Sequence, residues 1–307
     1  MWHGRLVVRH QQVAANGVRL HVALAGEEGK PLVLCLHGFP ECWYSWRGQL
    51  DALSDRFLVA APDLRGYGRS DKPAHVADYR LEQLSNDVAA LIRSLGHERA
   101  FVVAHDWGGI VAWHLASAHP ELVQKLAVLN CPHPFVFMNR LARLDLEQLR
   151  RSTYMLFFQV PWLPERMFPP ARLARVIRRT TIHRGVLTKE DVEVFERELS
   201  YPGTVHAALN YYRAIARDLT LPWRRKTLTD VWKRGVQAPT LIIWGEQDPF
   251  LGIRLLDGHE TLARTSLVVR RIPNVGHWVQ QEAATEVNRA LLSFFAPSPS
   301  PSGRELG

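Results

Sequence analysis

The sequence predicts an α/β architecture: a mostly parallel sheet with helices on both faces, interrupted by a helical insertion. Three observations predict it. Short apolar runs at 31–36, 57–61, 100–104, 125–129, 240–244 and 266–272 have the length and composition of buried strands. Amphipathic stretches at 81–95, 108–119, 253–263 and 283–295 alternate with them, and apolar strands alternating with helices mean a parallel sheet covered on both sides. From about residue 132 to 237 the alternation stops, and only helical patterns and turns remain.

The elements follow in order. Residues 13–25 read as an initial hairpin turning at Asn16-Gly17. In the insertion, 144–159, 170–181, 189–199 and 203–219 are the expected helices, and Thr188 with Asp191 forms a capping box with Asp in place of Glu. The expected division is a core of 1–131 and 238–296, a helical cap or lid of 132–237, and a Pro/Ser-rich disordered tail of 297–307.

At 307 residues, 47% of them apolar and 22% charged, the chain suits one soluble α/β domain with an insertion. No apolar run reaches the roughly 18 residues that span a bilayer, and Met1 to His10 lacks the apolar stretch of a secretory leader. Cys35, Cys42 and Cys131 are odd in number and have no metal spacing. Cys35 sits in a strand run as a small buried thiol, and a reducing cytoplasm is the expected location. The net charge of +8 is concentrated between 140 and 235, in runs such as 172–179 and 224–234. These read as solvated helix faces, with peripheral contact to an acidic membrane surface as the lesser reading. No nucleic-acid motif is present. Oligomeric state is left open.

Ala104-His105-Asp106-Trp107-Gly108-Gly109 carries the strongest chemistry. It ends an apolar strand and opens a helix, and its small residues at 104 and 108 allow a sharp nucleophile elbow. That elbow ordinarily holds Ser; here it holds Asp106, whose carboxylate is nucleophilic without a base because its reference pKa is about 3.9. The helix N-terminus favours the charged form. An Asp there can also simply cap the helix, but the remaining pieces follow in order. His37-Gly38-Phe39-Pro40 follows a strand and offers the Phe39 N–H, with that of Trp107, as an oxyanion hole. Trp244-Gly245-Glu246-Gln247-Asp248 offers an acid after another strand, and Gly276-His277-Trp278 offers a base after the last. The order nucleophile, acid, His is that of an α/β-hydrolase core with an inserted helical cap domain. The His37 side chain reads as structural. So does the turn Asp63-Leu64-Arg65-Gly66-Tyr67-Gly68-Arg69-Ser70, where Asp and Arg can pair.

His37-Gly38-Phe39-Pro40-Glu41, Trp43-Tyr44-Ser45-Trp46-Arg47, the turn at 63–70, His105-Asp106-Trp107-Gly108 and Gly276-His277-Trp278 together resemble the α/β-hydrolase-fold epoxide hydrolases over about residues 13–295. In the cap, Leu209-Asn210-Tyr211-Tyr212-Arg213 resembles the family segment whose second aromatic is a catalytic tyrosine, which implies Tyr212. Tyr154-Met155-Leu156-Phe157-Phe158-Gln159 resembles the segment of the other, which implies Tyr154. The stretch 154–165 looks closest to the animal membrane-bound branch; no hydrophobic N-terminal anchor accompanies it, so membrane residence is not carried over.

The resemblance implies hydrolysis of a small apolar epoxide by water to a vicinal diol. Asp106 forms an alkyl ester while Tyr154 and Tyr212 hydrogen-bond the ring oxygen, and water activated by His277, oriented by Asp248, cleaves the ester. The chemistry requires no cofactor and no metal. Phe39, Trp107 and Trp162 are the expected substrate contacts. Glu246 and Asp257 are alternative partners for His277, and Asn130 stands where some relatives carry the acid. The rival enzyme reading is a haloalkane or haloacid dehalogenase with the same Asp nucleophile. Trp107 then stands where fluoroacetate-type enzymes have Arg, and Phe39 where haloalkane-type enzymes have Asn. A binding protein that kept the fold without turnover is the third reading, and it needs none of the catalytic set.

Overall fold

The computed structural model describes residues 7–296; residues 1–6 and 297–307 lie outside it, and with them the expectation of a disordered tail. β1 (Arg9–Ala15) and β2 (Val18–Ala25) form an antiparallel hairpin. Asn16 and Gly17 turn it with φ of +47° and +78°, a backbone that Asn-Gly tolerates and most residues do not. β3 (Leu32–Leu36), α1 (Arg47–Leu53), β4 (Leu58–Pro62), α2 (Leu81–Ser94), β5 (Ala100–His105), α3 (Asp106–Ala118) and β6 (Val123–Leu129) follow. The chain then runs through α4 (Pro134–Ala142), α5 (Leu146–Arg151), α6 (Thr153–Phe157), α7 (Leu163–Met167), α8 (Pro170–Thr180), α9 (Lys189–Leu199), α10 (Thr204–Thr220) and α11 (Pro222–Lys233). β7 (Thr240–Gly245), β8 (Leu267–Ile272), α12 (Val279–Glu282) and α13 (Ala284–Phe295) complete it.

The strand order is β1-β2-β4-β3-β5-β6-β7-β8, with β1, β2 and β4 paired antiparallel and every later pair parallel. Every residue of β3, β4, β5 and β7 is buried. Along β3, Leu32, Leu34 and Leu36 enter one apolar cluster and Val33 and Cys35 the other, the two-residue alternation of a strand covered on both faces. The C-terminal ends of β3, β5, β6 and β7 therefore open onto the insertion, and the loops there can carry reactive side chains.

Several local expectations are corrected. Residues 253–263 form no α-helix: two 3-10 turns, Ile253–Leu256 and His259–Thr261, are separated at Gly258, whose φ of +103° stops the helical path. The segment 144–159 is two short helices broken at Ser152. β8 is the edge strand, and Val268 and Val269 are exposed rather than buried. Helices α1, α4 and α11 were not legible as apolar periodicity. In the 63–70 turn Arg65 pairs with Asp87 at 2.6 Å, not with Asp63; Asp63 instead accepts from the backbone of Trp43 and Arg69 and contacts His21 at 2.8 Å. The basic run on α8 is a solvated face, with Leu173, Ala174 and Ile177 buried and Arg172, Arg175, Arg178 and Arg179 exposed. In α11, however, Arg224 is tied to Glu82 and Asp218, both at 2.9 Å. No helix among the described residues is long and apolar enough to cross a membrane.

Candidate active site

Asp106 ends the β5 path and begins α3 with φ of +48°. The left-handed backbone costs energy for a residue with a side chain, and close packing holds it. A Cβ on Gly38 would meet the Asp106 Cβ at 2.4 Å, and one on Gly108 would meet the Leu36 carbonyl oxygen at 2.3 Å. Glycine at both positions is thus what lets the elbow nest against the β3 loop. The Phe39 N–H donates to Asp106 Oδ1 at 2.8 Å. Trp107 lies in the first turn of α3, where N–H groups have no intrahelical acceptor. Oδ2 faces the other way, 3.7 Å from His277 Nε2.

His277 follows β8 and is buried. Its Nδ1 lies 2.7 Å from Asp248 Oδ2. Asp248 is fixed in turn: Oδ1 accepts from the Phe250 and Leu251 N–H groups at 2.7 and 2.9 Å, and Oδ2 accepts from Asn130 Nδ2 at 2.8 Å. The alternative partners are engaged elsewhere, Glu246 with Arg271 and Asp257 with Arg140. Burial disfavours the imidazolium, but the negative charges of Asp248 and Asp106 outweigh it and raise the His277 pKa to about 10. Burial likewise acts against the Asp106 carboxylate, and His277, His105 and the Phe39 N–H more than compensate, so its pKa is lowered. Both shifts favour the charged forms, a carboxylate beside an imidazolium.

Two apolar cavities meet over Asp106. One, of about 230 Å³, runs under α4, α6 and α10 past Trp107, Ile110, Phe137, Met138 and Ile215. The other, of about 220 Å³, is bounded by Phe39, Phe158, Phe168, Val176, Phe250 and His277. Asp106, Tyr154 and Tyr212 line both. The two tyrosine rings are 6.1 Å apart. Burial, reinforced by nearby negative charge, keeps both phenols above their ordinary pKa, so both remain O–H donors. Adjacent Tyr211 points away and donates to the Arg65 carbonyl at 2.7 Å.

The site thus gathers Asp106, Asp248, His277, Tyr154, Tyr212, Phe39 and Trp107. Trp162 is the exception and corrects a sequence expectation: it borders neither cavity and is 66% exposed. It stands at the start of α7 with a left-handed φ of +52°. His37 is structural, accepting the Leu64 N–H at 3.1 Å. Sequence reasoning missed three supports. Asn130 links Asp248 to β7, through the Gly245 N–H and C=O. Glu41 contacts His105 Nδ1 at 2.7 Å and accepts from Gln280 and Gln281, and His105 Nε2 lies 2.9 Å from the His277 carbonyl. Phe250 packs edge-on against both His277 and Tyr154. Their partners are distant in sequence; only the polar residues beside each motif hinted at them.

Known proteins resemble this chain along most of its length. Residues 31–284 match the alpha/beta hydrolase fold family. Epoxide hydrolase 4 of Homo sapiens is 38% identical over 290 residues, 92% of this chain and 77% of that protein. The AB hydrolase superfamily protein YfhM of Bacillus subtilis is 37% identical over 94% of this chain and 98% of its own. The crystal structure of Bacillus megaterium epoxide hydrolase in complex with an inhibitor superposes with a TM-score of 0.83 at 33% identity, covering 92% of this chain and 99% of that one. The likeness in sequence and fold thus runs along nearly the whole chain, which belongs to the α/β-hydrolase-fold epoxide hydrolases.

Proposed function

We propose that this chain hydrolyses apolar epoxides to vicinal diols through an alkyl ester on Asp106. One observation carries the reading: a carboxylate and two neutral phenols line the same junction of two apolar cavities. Ring opening needs a nucleophile on carbon and a proton donor on oxygen, since an unprotonated alkoxide leaves poorly. Asp106 Oδ2 is the attacking atom, because Oδ1 is held by the Phe39 N–H. Tyr154 and Tyr212 donate to the ring oxygen. The ester carbonyl then retains Oδ1 in the Phe39/Trp107 site, placed for the oxyanion of the second step. Esterification removes the Asp106 charge, one of the two that raise the His277 pKa. The imidazolium then gives up its proton to solvent, matching the proton that the tyrosinate left by ring opening takes back from solvent, and the neutral base removes a proton from water as it attacks the ester. Residues 132–237 act as the cap that supplies both phenols, on a core of 1–131 and 238–296. The three free, buried thiols accord with a reducing cytoplasm.

A dehalogenase would use the same Asp106 but leaves the two phenols without a role. Diol formation from styrene oxide, with no chloride released from haloalkanes, is the expected outcome; chloride release without diol would replace this reading with the halide one.

The acid has its own test. Asp248→Asn is expected to leave ester formation near the wild-type rate and to slow ester hydrolysis by as much as about 10⁴, the cost of the same change in a Ser-His-Asp triad. Losing the Asp248 charge also lowers the His277 pKa, so the acid limb of hydrolysis moves to lower pH. Rapid-quench measurement of both steps against pH checks this; a wild-type rate would move the role to another residue.

The two cavities imply that each epoxide carbon can carry an apolar group. Ala216 lines only the first cavity, and Ala216→Trp fills space there. We expect kcat/KM for a trans-disubstituted epoxide with a long chain on each carbon to fall at least about tenfold relative to styrene oxide. An unchanged ratio would mean that the second cavity alone binds substrate.

A further inference from the structure

The loop that carries Asp248 is held from the cap as well as from the core. Gln148, buried on α5, donates from Nε2 to the Phe250 carbonyl at 3.0 Å and accepts the Gly252 N–H on Oε1 at 2.9 Å. Its second Nε2 hydrogen goes to Ser152 Oγ at 3.0 Å. Arg151, one turn on, donates to the Asp248 carbonyl and is braced by Glu147 at 2.7 Å. Two side chains of one short helix thus grip alternate residues of the loop at 248, 250 and 252, much as a neighbouring strand would.

The inner side of the same loop does the work described above. The Phe250 and Leu251 N–H groups hold Asp248 Oδ1, Oδ2 meets His277 Nδ1, and the Phe250 ring lies 5.2 Å from the imidazole. Gln148 therefore touches neither substrate nor the reacting atoms, but it fixes the backbone whose N–H groups aim the acid. A side-chain amide fits this task because it offers one donor and one acceptor to a peptide unit without adding charge beside Asp248. The next helix, α6, carries Tyr154, so the same cap segment presents the phenol and steadies the acid.

We propose that Gln148 is a positioning residue for the second chemical step: through the 248–252 loop it holds Asp248, and hence His277, in the orientation that hydrolyses the ester. The inference rests on the ester mechanism of the preceding subsection. It ties seating of the cap to competence of the base, since the acid loop is fully held only when α5 is in place.

Gln148→Leu keeps the volume and removes both hydrogen bonds to the loop. Arg151→Met removes only the grip on the Asp248 carbonyl and is a milder variant should Gln148→Leu fail to fold. Rapid-quench mass spectrometry of the Asp106 peptide, with styrene oxide as substrate, separates formation of the ester from its decay. In Gln148→Leu we expect formation to match wild type and decay to slow roughly tenfold, the worth of two neutral hydrogen bonds, so that ester accumulates in the steady state. Arg151→Met should move decay in the same direction by a smaller factor. Equal loss in both steps would make Gln148 a purely structural residue, and loss of formation alone would mean that it acts through Tyr154; either overturns the proposal, as would unchanged decay in both variants. His277→Gln run alongside separates the two failures. If it traps ester while Gln148→Leu behaves as wild type, only this inference falls; if it traps none, the ester mechanism falls and this inference with it.

Discussion

His277→Gln protein mixed with a reactive epoxide is expected to gain the mass of one substrate molecule and to keep it. The Asp106 carboxylate is ionised without help from a base, so removing His277 leaves the first step open. The second step stops, because water attacks an ester slowly without a general base. Proteolysis should place the added mass on the peptide containing Asp106, and the double variant with Asp106→Ala should gain none. Loss of turnover should be several orders of magnitude, whereas ester formation should persist. Some change in the first step is expected too, since His277 Nε2 lies 3.7 Å from Asp106 Oδ2 and helps keep it charged. A companion measurement uses heavy-oxygen water in one turnover of the wild type. Hydrolysis through the ester places the heavy oxygen in the Asp106 carboxylate and releases the enzyme's original Oδ2 in the diol. Heavy oxygen appearing directly in the diol, with no adduct on His277→Gln, would falsify the nucleophilic role of Asp106.

The elbow at Asp106 was legible because its local requirements are written locally. A strand, small residues flanking one reactive side chain and a helix are contiguous in sequence, and Gly108, which the Leu36 carbonyl of β3 requires, is itself one of those small residues. Asp248 and His277 were legible by a weaker route, their order and their place after strands. What was not legible depends on contacts between distant segments. Asn130 reaches Asp248 across 118 positions and Gln148 reaches Gly252 across 104, and the place of Asn130 after a core strand marks its position without naming its partner. The misread elements share a cause. Trp162 is apolar and lies in the cap, but residue type does not say which way a residue at positive φ presents its ring. Val268 and Val269 look like core strand residues, but their strand is the last in the sheet. A helical pattern over 253–263 cannot survive a glycine at φ +103°. In each case the sequence reports composition, while the tertiary neighbour decides exposure.

Tyr154→Phe/Tyr212→Phe protein is expected to be nearly inactive on epoxides while still folding. Each single change removes one hydroxyl and keeps the ring, so the aromatic contacts of Tyr212 with Phe39, Trp107 and Phe158 survive. Loss of one donor should slow ester formation by roughly 10²–10⁴, the usual worth of one general acid. The two phenols face the same junction from different helices, and either can hydrogen-bond one ring oxygen. The double should therefore lose more than either single. The defect must fall on ester formation alone. Once the ring is open its oxygen is a hydroxyl, and hydrolysis of the ester runs on His277, Asp248 and the N–H groups at Phe39 and Trp107. A chemically reactive epoxide that needs less assistance, such as one with an aryl group on the attacked carbon, should lose less than an aliphatic one. Single-turnover rates across that pair of substrates test the assignment. Near-wild-type ester formation in the double variant would remove both tyrosines from ring opening. An equal slowing of formation and hydrolysis would make them elements of cap packing instead of proton donors.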